Sequence, residues 1–419
     1  MTSRNRRLAV VAAVLIGGTA AAIPQMLGFI RSVRLQADAT YSPEMRPAIG
    51  MPGAPPTSAD GLRDRIAEME TRVAQHPDDS PSALLLADAL LRQARATTDG
   101  RPAGRAAVVL DAVLKNEPDQ YDALRLLGAV HLSRHLFREA LDVAKRAHDA
   151  RPADAWNYGV MGDALLELGE YDEAFRAFDT MATLRPNADA YARVSYAREL
   201  RGDLDGALDV MQMAADATSG HDREAKAWYT AHVGELRLRQ GRLADAEREY
   251  RRAAFYFPDY PHAMTGLGKV KAARGDSSGA LEIFKAQLER TPTLDLAARV
   301  GDLLASRGDA AGAEHYYRLA EDLAGPAAVQ TEANLALFLA EHDRRLADAV
   351  RIAQDVSRVR HDIFTEDVLA WTLFKRGDLQ GALAASTRAL RTGTRDERIV
   401  KHAEAIRAAD LLHRSFERS

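Results

Sequence analysis

Prolines 118, 152 and 186 stand 34 residues apart, and Pro258 and Pro292 repeat the interval. A fixed period of this size limits the chain to an array of small supersecondary units, each unable to bury its apolar face alone. A second beat runs with the prolines. Small residues open the second half of each unit at Ala140, Ala174, Ala207, Ala246, Ala280, Ala313, Ala349 and Ala382, at intervals of 33 to 39 residues. The longest intervals carry extra residues around TSGHDREAK and EDLAGPAAVQ.

The stretch from Asp154 to Pro186 shows what one unit is. Tyr158, Met161, Leu165 and Leu168 recur at helical spacing and share one apolar face. Gly162 sits among them, where a side chain would hold a partner helix away. Gly169 interrupts the pattern, and Tyr171 opens a second run of Ala174, Phe178 and Met181. Pro186 ends it, because proline lacks the N–H of the helical ladder. The unit is therefore a helix, a tight turn and a second helix.

The same reading along the chain predicts about nine such repeats. A lone amphipathic helix at Asp60–Gln75, with Leu62, Ile66, Met69 and Val73 on its stripe, caps the start, and a helix at about 396–412 caps the end. The first full repeat begins near Ser80, with a turn swollen by ATTDGRPAG. Hydrophobic residues make up 47% of the chain and supply a continuous core, while aromatics at 6% suit closely packed helices better than a β-sandwich.

The pattern resembles the tetratricopeptide repeat over about residues 62–412. Tyr158, Met161-Gly162, Leu165, Ala174, Phe178, Met181 and Pro186 follow that family's consensus, as do Met264, Leu267-Gly268, Ala280, Phe284 and Pro292. Lys271 stands where the consensus has an aromatic and Leu337 where it has glycine, so those junctions are expected to pack differently. The resemblance implies an all-α fold, a right-handed superhelical solenoid with helical caps over residues 62–415. The C-terminal repeats are similar to those of exported bacterial tetratricopeptide proteins of unsettled role.

Two segments precede the repeats. Arg4, Arg6 and Arg7 lead into Leu8–Ile30, which holds no charged residue. Residues 1–35 read as a signal peptide, with Ala20-Ala21-Ala22 as its cleavage site, or as a retained anchor contacting the membrane through residues 8–30. Either reading places the bulk of the chain in the bacterial cell envelope, periplasmic or extracytoplasmic. Residues 36–61, with five prolines and three glycines, read as an extended linker.

The first helix of each repeat lines the concave side in proteins of this kind. Counting from the glycine position, the resemblance places Arg125, Trp156, Asp163, Arg193, Tyr196, Trp228, His232, Glu235, Arg239, Lys269, Arg299, Asp302, Phe338 and Trp371 there. Tryptophan and arginine often anchor interfaces, so the partner-binding surface is expected from Trp156 to Arg299: Trp156, Asp163, Arg193, Tyr196, Trp228, His232, Glu235, Arg239, Lys269 and Arg299. The Lys and Asn set with which related repeats clamp chaperone tails is missing.

The expected function is recognition of a protein or peptide by a non-catalytic scaffold. An envelope assembly factor for a membrane or cofactor-bearing enzyme is the alternative. The chain has no cysteine, which removes disulfides, thiolate metal sites and c-type haem attachment. No cofactor is expected. A net charge of −4 gives no global basic field for nucleic acid. His131 and His135 have metal-ligand spacing, but no third ligand is near, and turn packing explains them better. Motifs for zinc hydrolysis, phosphate loops and nucleophile elbows are absent from the sequence. The two RGD triplets, 201–203 and 274–276, read as turn chemistry.

Overall fold

Residues 58–97, 99–324 and 329–417 are described in the computed structural model. The chain divides into two units, Met1–Gly50 and Met51–Ser419. The first lies outside the described residues, as do the expected export segment and the linker up to residue 57. The fold below is that of the second unit.

Among the described residues there are twenty helices and no strand. Helix α1 (Ala59–Gln75) is the N-terminal cap. Nine helical pairs follow: α2/α3 (Ser80–Thr97, Arg101–Asn116), α4/α5 (Tyr121–Ser133, Phe137–Ala150) and α6/α7 (Ala155–Glu167, Tyr171–Leu184). The middle pairs are α8/α9 (Ala188–Leu200, Leu204–Ala217), α10/α11 (Arg223–Arg239, Leu243–Tyr256) and α12/α13 (Pro261–Ala273, Ser277–Arg290). The last are α14/α15 (Leu294–Ser306, Ala310–Ala324), α16/α17 (Val329–Glu341, Leu346–Ser357) and α18/α19 (Ile363–Arg376, Leu379–Ala389). Helix α20 (Glu397–Glu417) closes the stack.

Many of the helices start where a short polar side chain takes up a free backbone N–H. Asp154 accepts from Trp156 N, Asn187 from Ala190 N and Thr293 from Leu296 N. Within the RGD turns, Asp203 and Asp276 cap α9 and α13 by accepting from Gly206 N and Gly279 N. The triplets are thus helix starts, occupied by their own chain. The first repeat corrects one expectation: α2 continues to Thr97 and α3 starts at Arg101, so its turn is not swollen by ATTDGRPAG. Pro102 explains the early start, because proline is tolerated in the first helical turn.

The alanines of the repeating beat are all buried. Gly162 shows why small residues are needed beside them. A Cβ there would run into the Phe178 ring, with the Ala174 carbonyl 3.2 Å away. Removing the side chain at 162 lets α6 and α7 close around Phe178, a fully buried aromatic worth roughly 1.5–3 kcal/mol of transfer energy.

Contacts between distant repeats close the stack on itself. Leu62 of α1 and Ala96 of α2 share an apolar cluster with Phe257 and Tyr260. Arg95 donates from Nε to Glu224 at 2.8 Å, and Arg92 meets Asp222 at 3.3 Å. At the other end, Arg360 lies between Glu167 and Asp362 with its guanidinium over the Phe137 ring. The Ile363 N–H donates to the Tyr171 hydroxyl at 2.8 Å. These pairs lie up to 193 residues apart in sequence.

Among the described residues no helix is long and apolar enough to cross a membrane.

Candidate functional site

The ten residues expected to bind a partner are all half-buried, neither sealed in the core nor standing free. The structure sorts them into three environments.

The first lies on α6 and α8. Asp163 takes a forked ion pair from Arg193, with Nε at 3.0 Å from both oxygens and Nη2 at 2.6 Å from Oδ2. Arg193 also donates to the Asp189 carbonyl at 3.2 Å. Trp156 carries the Arg125 guanidinium 4.8 Å from its ring centroid. Tyr196 packs beside the cluster of Tyr171, Phe175 and Ile363, and burial pushes its hydroxyl far above the ordinary range. These side chains bind each other across neighbouring repeats.

The second environment is the closure itself. Arg239 pairs with Glu199 and reaches Asp396 at 3.2 Å, on the loop before α20. It ties α10 to the C-terminal end of the stack and is not an open groove residue. Three further positions of the inner-face count also differ from it. Phe338 is 2% exposed, packed against His342 with ring centroids 4.4 Å apart. Trp371 stacks flat on His402 at 4.0 Å. Asp302 accepts from the Tyr317 hydroxyl at 3.0 Å and pairs with His342.

The third environment is a cavity of about 580 Å³ lined from the fifth repeat to the eighth. It brings His232, Glu235 and Lys269 to one hollow. Glu235 accepts from the Tyr250 hydroxyl at 2.7 Å and pairs with Lys269 at 3.1 Å. Burial raises the Glu235 carboxyl, but Lys269 and Tyr250 outweigh it and hold it below its ordinary value. His232 stacks on Trp228 at 3.8 Å. Its Nδ1–H donates to the Trp228 carbonyl at 2.9 Å, which leaves Nε2 as an acceptor. Burial, and after it the Lys269 ammonium, keep this imidazole below its usual value and so neutral. Arg299 stands at the edge, held by Asp295 of the cavity lining at 2.8 Å.

The cavity lies where α12 does not pack along α14 as it packs along α10. Seven residues after Ala106 and after the beat alanines the chain carries Val113, Ala147, Met181, Ala214, Ala253, Ala320, Val356 and Ala389, all buried. In the sixth repeat that position is Gln287, 3% exposed and lining the cavity. Sequence reasoning missed Gln287, although the beat itself contained the signal. One polar residue in a series of buried apolar ones is informative, since such positions are usually filled by apolar side chains.

Among the described residues no group of three or more His, Asp or Glu side chains is placed to hold a metal. His135 adopts a left-handed backbone with φ 58° at its turn, its ring edge-on to Phe137.

The family model of the tetratricopeptide repeat matches residues 100–155, 160–222 and 234–295. Over these residues the chain carries tetratricopeptide repeats. It is 34% identical over 96 residues to tetratricopeptide repeat protein 36 of Homo sapiens, covering 23% of this chain and 50% of that protein. With the protein of the same name from Bos taurus it shares 36% over 89 residues, 21% of this chain and 47% of that one. The chain thus spans about half the length of the curated relatives it matches. Among solved structures, a human IFIT1 dimer with PPP-AAAA superposes with a TM-score of 0.53 at 15% identity, over 80% of this chain and 78% of that chain. That likeness is one of fold alone. Tetratricopeptide solenoids are in general non-catalytic protein-interaction scaffolds, and this one has that architecture throughout its described repeats.

Proposed function

We propose that this tetratricopeptide protein is an exported or membrane-tethered, non-catalytic scaffold that binds a protein or peptide at the cavity lined by its fifth to eighth repeats. The observation carrying this reading is the cavity, which gathers three candidate residues from two helices around a hollow large enough for a short peptide segment. Elsewhere the expected residues are engaged with each other or with the closure. The surface is preformed, so binding loses little to ordering the receptor. The charged groups at the cavity mouth neutralise one another, as suits recognition rather than proton transfer, and the partner is a protein rather than a nucleic acid.

Placement in the envelope rests on Arg4, Arg6 and Arg7 followed by the uncharged run Leu8–Ile30. Two measurements test the proposal. Replacing His232 and Lys269 together by alanine should lower partner capture at least about tenfold while the helical signal stays intact, the loss expected for about 1.4 kcal/mol. Unchanged capture would remove the cavity as the binding site. Alkaline phosphatase fused after residue 57 should be active in a bacterial host, and an inactive fusion would contradict export.

A further inference from the structure

His342, at the C-terminal end of α16, holds both ring nitrogens against groups that accept. Nδ1 lies 2.8 Å from the Phe338 carbonyl, and Nε2 lies 2.8 Å from an Asp302 carboxylate oxygen. The same Asp302 oxygen takes the Tyr317 hydroxyl at 3.0 Å. A neutral imidazole has one N–H and would set its bare nitrogen against one of these oxygens. The geometry therefore calls for the imidazolium. The Tyr317 and Phe338 rings, with centroids 4.5 and 4.4 Å from that of His342, enclose it, and aromatic rings attract a cation. The other charges around it are engaged or add to the attraction. Glu341 precedes it on the same helix, with Arg398 and His402 of α20 acting on Glu341 from beyond. Asp343 is taken by Lys375 of α18 at 2.6 Å, and Arg344 by Glu314 of α15 at 2.7 Å.

We infer that His342 is a pH-sensitive latch: as an imidazolium it ties α14, α15 and α16 into one wall of the cavity, and as a neutral imidazole it lets that wall part. The three helices meet only through Asp302, Tyr317 and His342 in this bond network, and all three line the cavity. Leu294, Asp295 and Leu296 come from α14, Leu323 from α15 and Asn334 from α16. As a control on partner binding, the latch rests on the cavity being the partner site. Its direction follows from the groups that hold it. Burial works against the cation, but Asp302 and the Phe338 carbonyl outweigh it and hold this imidazole above its ordinary 6.5. The latch is therefore complete below 6.5 and is lost as pH rises through the raised value. Tyr317 does not switch with it, since burial and Asp302 push its hydroxyl up to about 12. Asp302, with its side chain 55% exposed, turns to water once the ring is neutral, so opening strands no buried charge.

The test uses the full chain in two readouts. Histidine NMR, with the His342 signal identified by its loss in His342→Gln, should show this ring titrating above 6.5 in the parent and lower in Asp302→Asn. Spin labels on Arg318→Cys and Arg351→Cys, both exposed, report the separation of the seventh and eighth repeats. The parent should give one narrow distance at about pH 6 and a broadened or longer one at about pH 9. Asp302→Asn should stay narrow at both, because its amide can donate to the neutral ring nitrogen. His342→Gln, which cannot titrate, should give the same distribution at both. A His342 value at or below 6.5 in the parent overturns the inference. So does a parent distance that ignores pH, or a pH-dependent distance that survives in both variants. Neither readout needs a partner, so the latch can fail while the cavity keeps its partner, or hold while capture at the cavity fails.

Discussion

Arg360, on the loop before α18, pairs with Glu167 at the end of α6, 193 residues earlier in the chain. Asp362 meets the same guanidinium at 3.1 Å, and the Phe137 ring lies 5.1 Å away. One arginine therefore joins the second and third repeats to the ninth. Arg360→Ala leaves Asp362, which is 1% exposed, without its cation. Breaking a buried pair from one side costs about 3–5 kcal/mol. Urea denaturation should show a loss of that order, and small-angle scattering should show an increased radius. A variant with unchanged stability and radius would mean that the closure is held elsewhere.

The closure also carries a pH signature. Burial, opposed by Arg360, pushes the Glu167 carboxyl up to about 7. A carboxyl whose folded value exceeds its ordinary 4.5 holds its proton longer in the folded chain, so its stabilisation is full below 4.5 and is lost as pH rises through about 7. His135, pushed down to about 4 by burial and by Arg360, works in the opposite direction: its contribution is present above 6.5 and is lost as pH falls through about 4. Melting temperatures of Glu167→Gln should therefore gain on the parent as pH is raised from 4.5 to 7. A constant difference over that range would contradict the assignment.

Two glycines with the same turn conformation separate local strain from closure. Gly202 and Gly275 have φ of 78° and 81°. A Cβ on Gly275 meets nothing within 4 Å, so Gly275→Ala should cost only the left-handed backbone penalty, about 1–2 kcal/mol. A Cβ on Gly202 would stand 2.8 Å from the Gly393 carbonyl, on the loop before α20. Gly202→Ala should cost about 1–3 kcal/mol more, the range for forcing an atom into packed structure. Equal costs in denaturation would show that the Gly202 turn does not bear on the C-terminal repeats.

The repeats were legible because their determinants are local and periodic. Gly162 against Phe178, the capping Asp203 and Asp276, and the alanine beat each express geometry within one helical pair, and repetition makes such signals visible. The closure was not legible. Arg360, Glu167, Arg239 and Asp396 are ordinary surface-type residues with no local signature, and their pairing depends on rotation accumulated over several repeats. For the same reason Arg239 read as a groove residue when it is a tie between chain ends. The site was half legible. His232, Glu235 and Lys269 followed from the inner-face count, while Gln287 lies on a second helix, outside that count. Lys271, in place of the usual aromatic, pairs through its ammonium with Asp276 in the turn, 2.7 Å away. Leu337, in place of the usual glycine, is buried in the core of the last repeats.

The cysteine-free chain permits a direct test of where the partner sits. A single cysteine at Thr265, on the cavity wall, and another at Val108, 69% exposed on α3, would each carry a benzophenone photocrosslinker. Crosslinking in membranes of the native host should give a discrete adduct from position 265 and none from position 108. An adduct from position 108 with none from position 265 would contradict the cavity as the site of recognition.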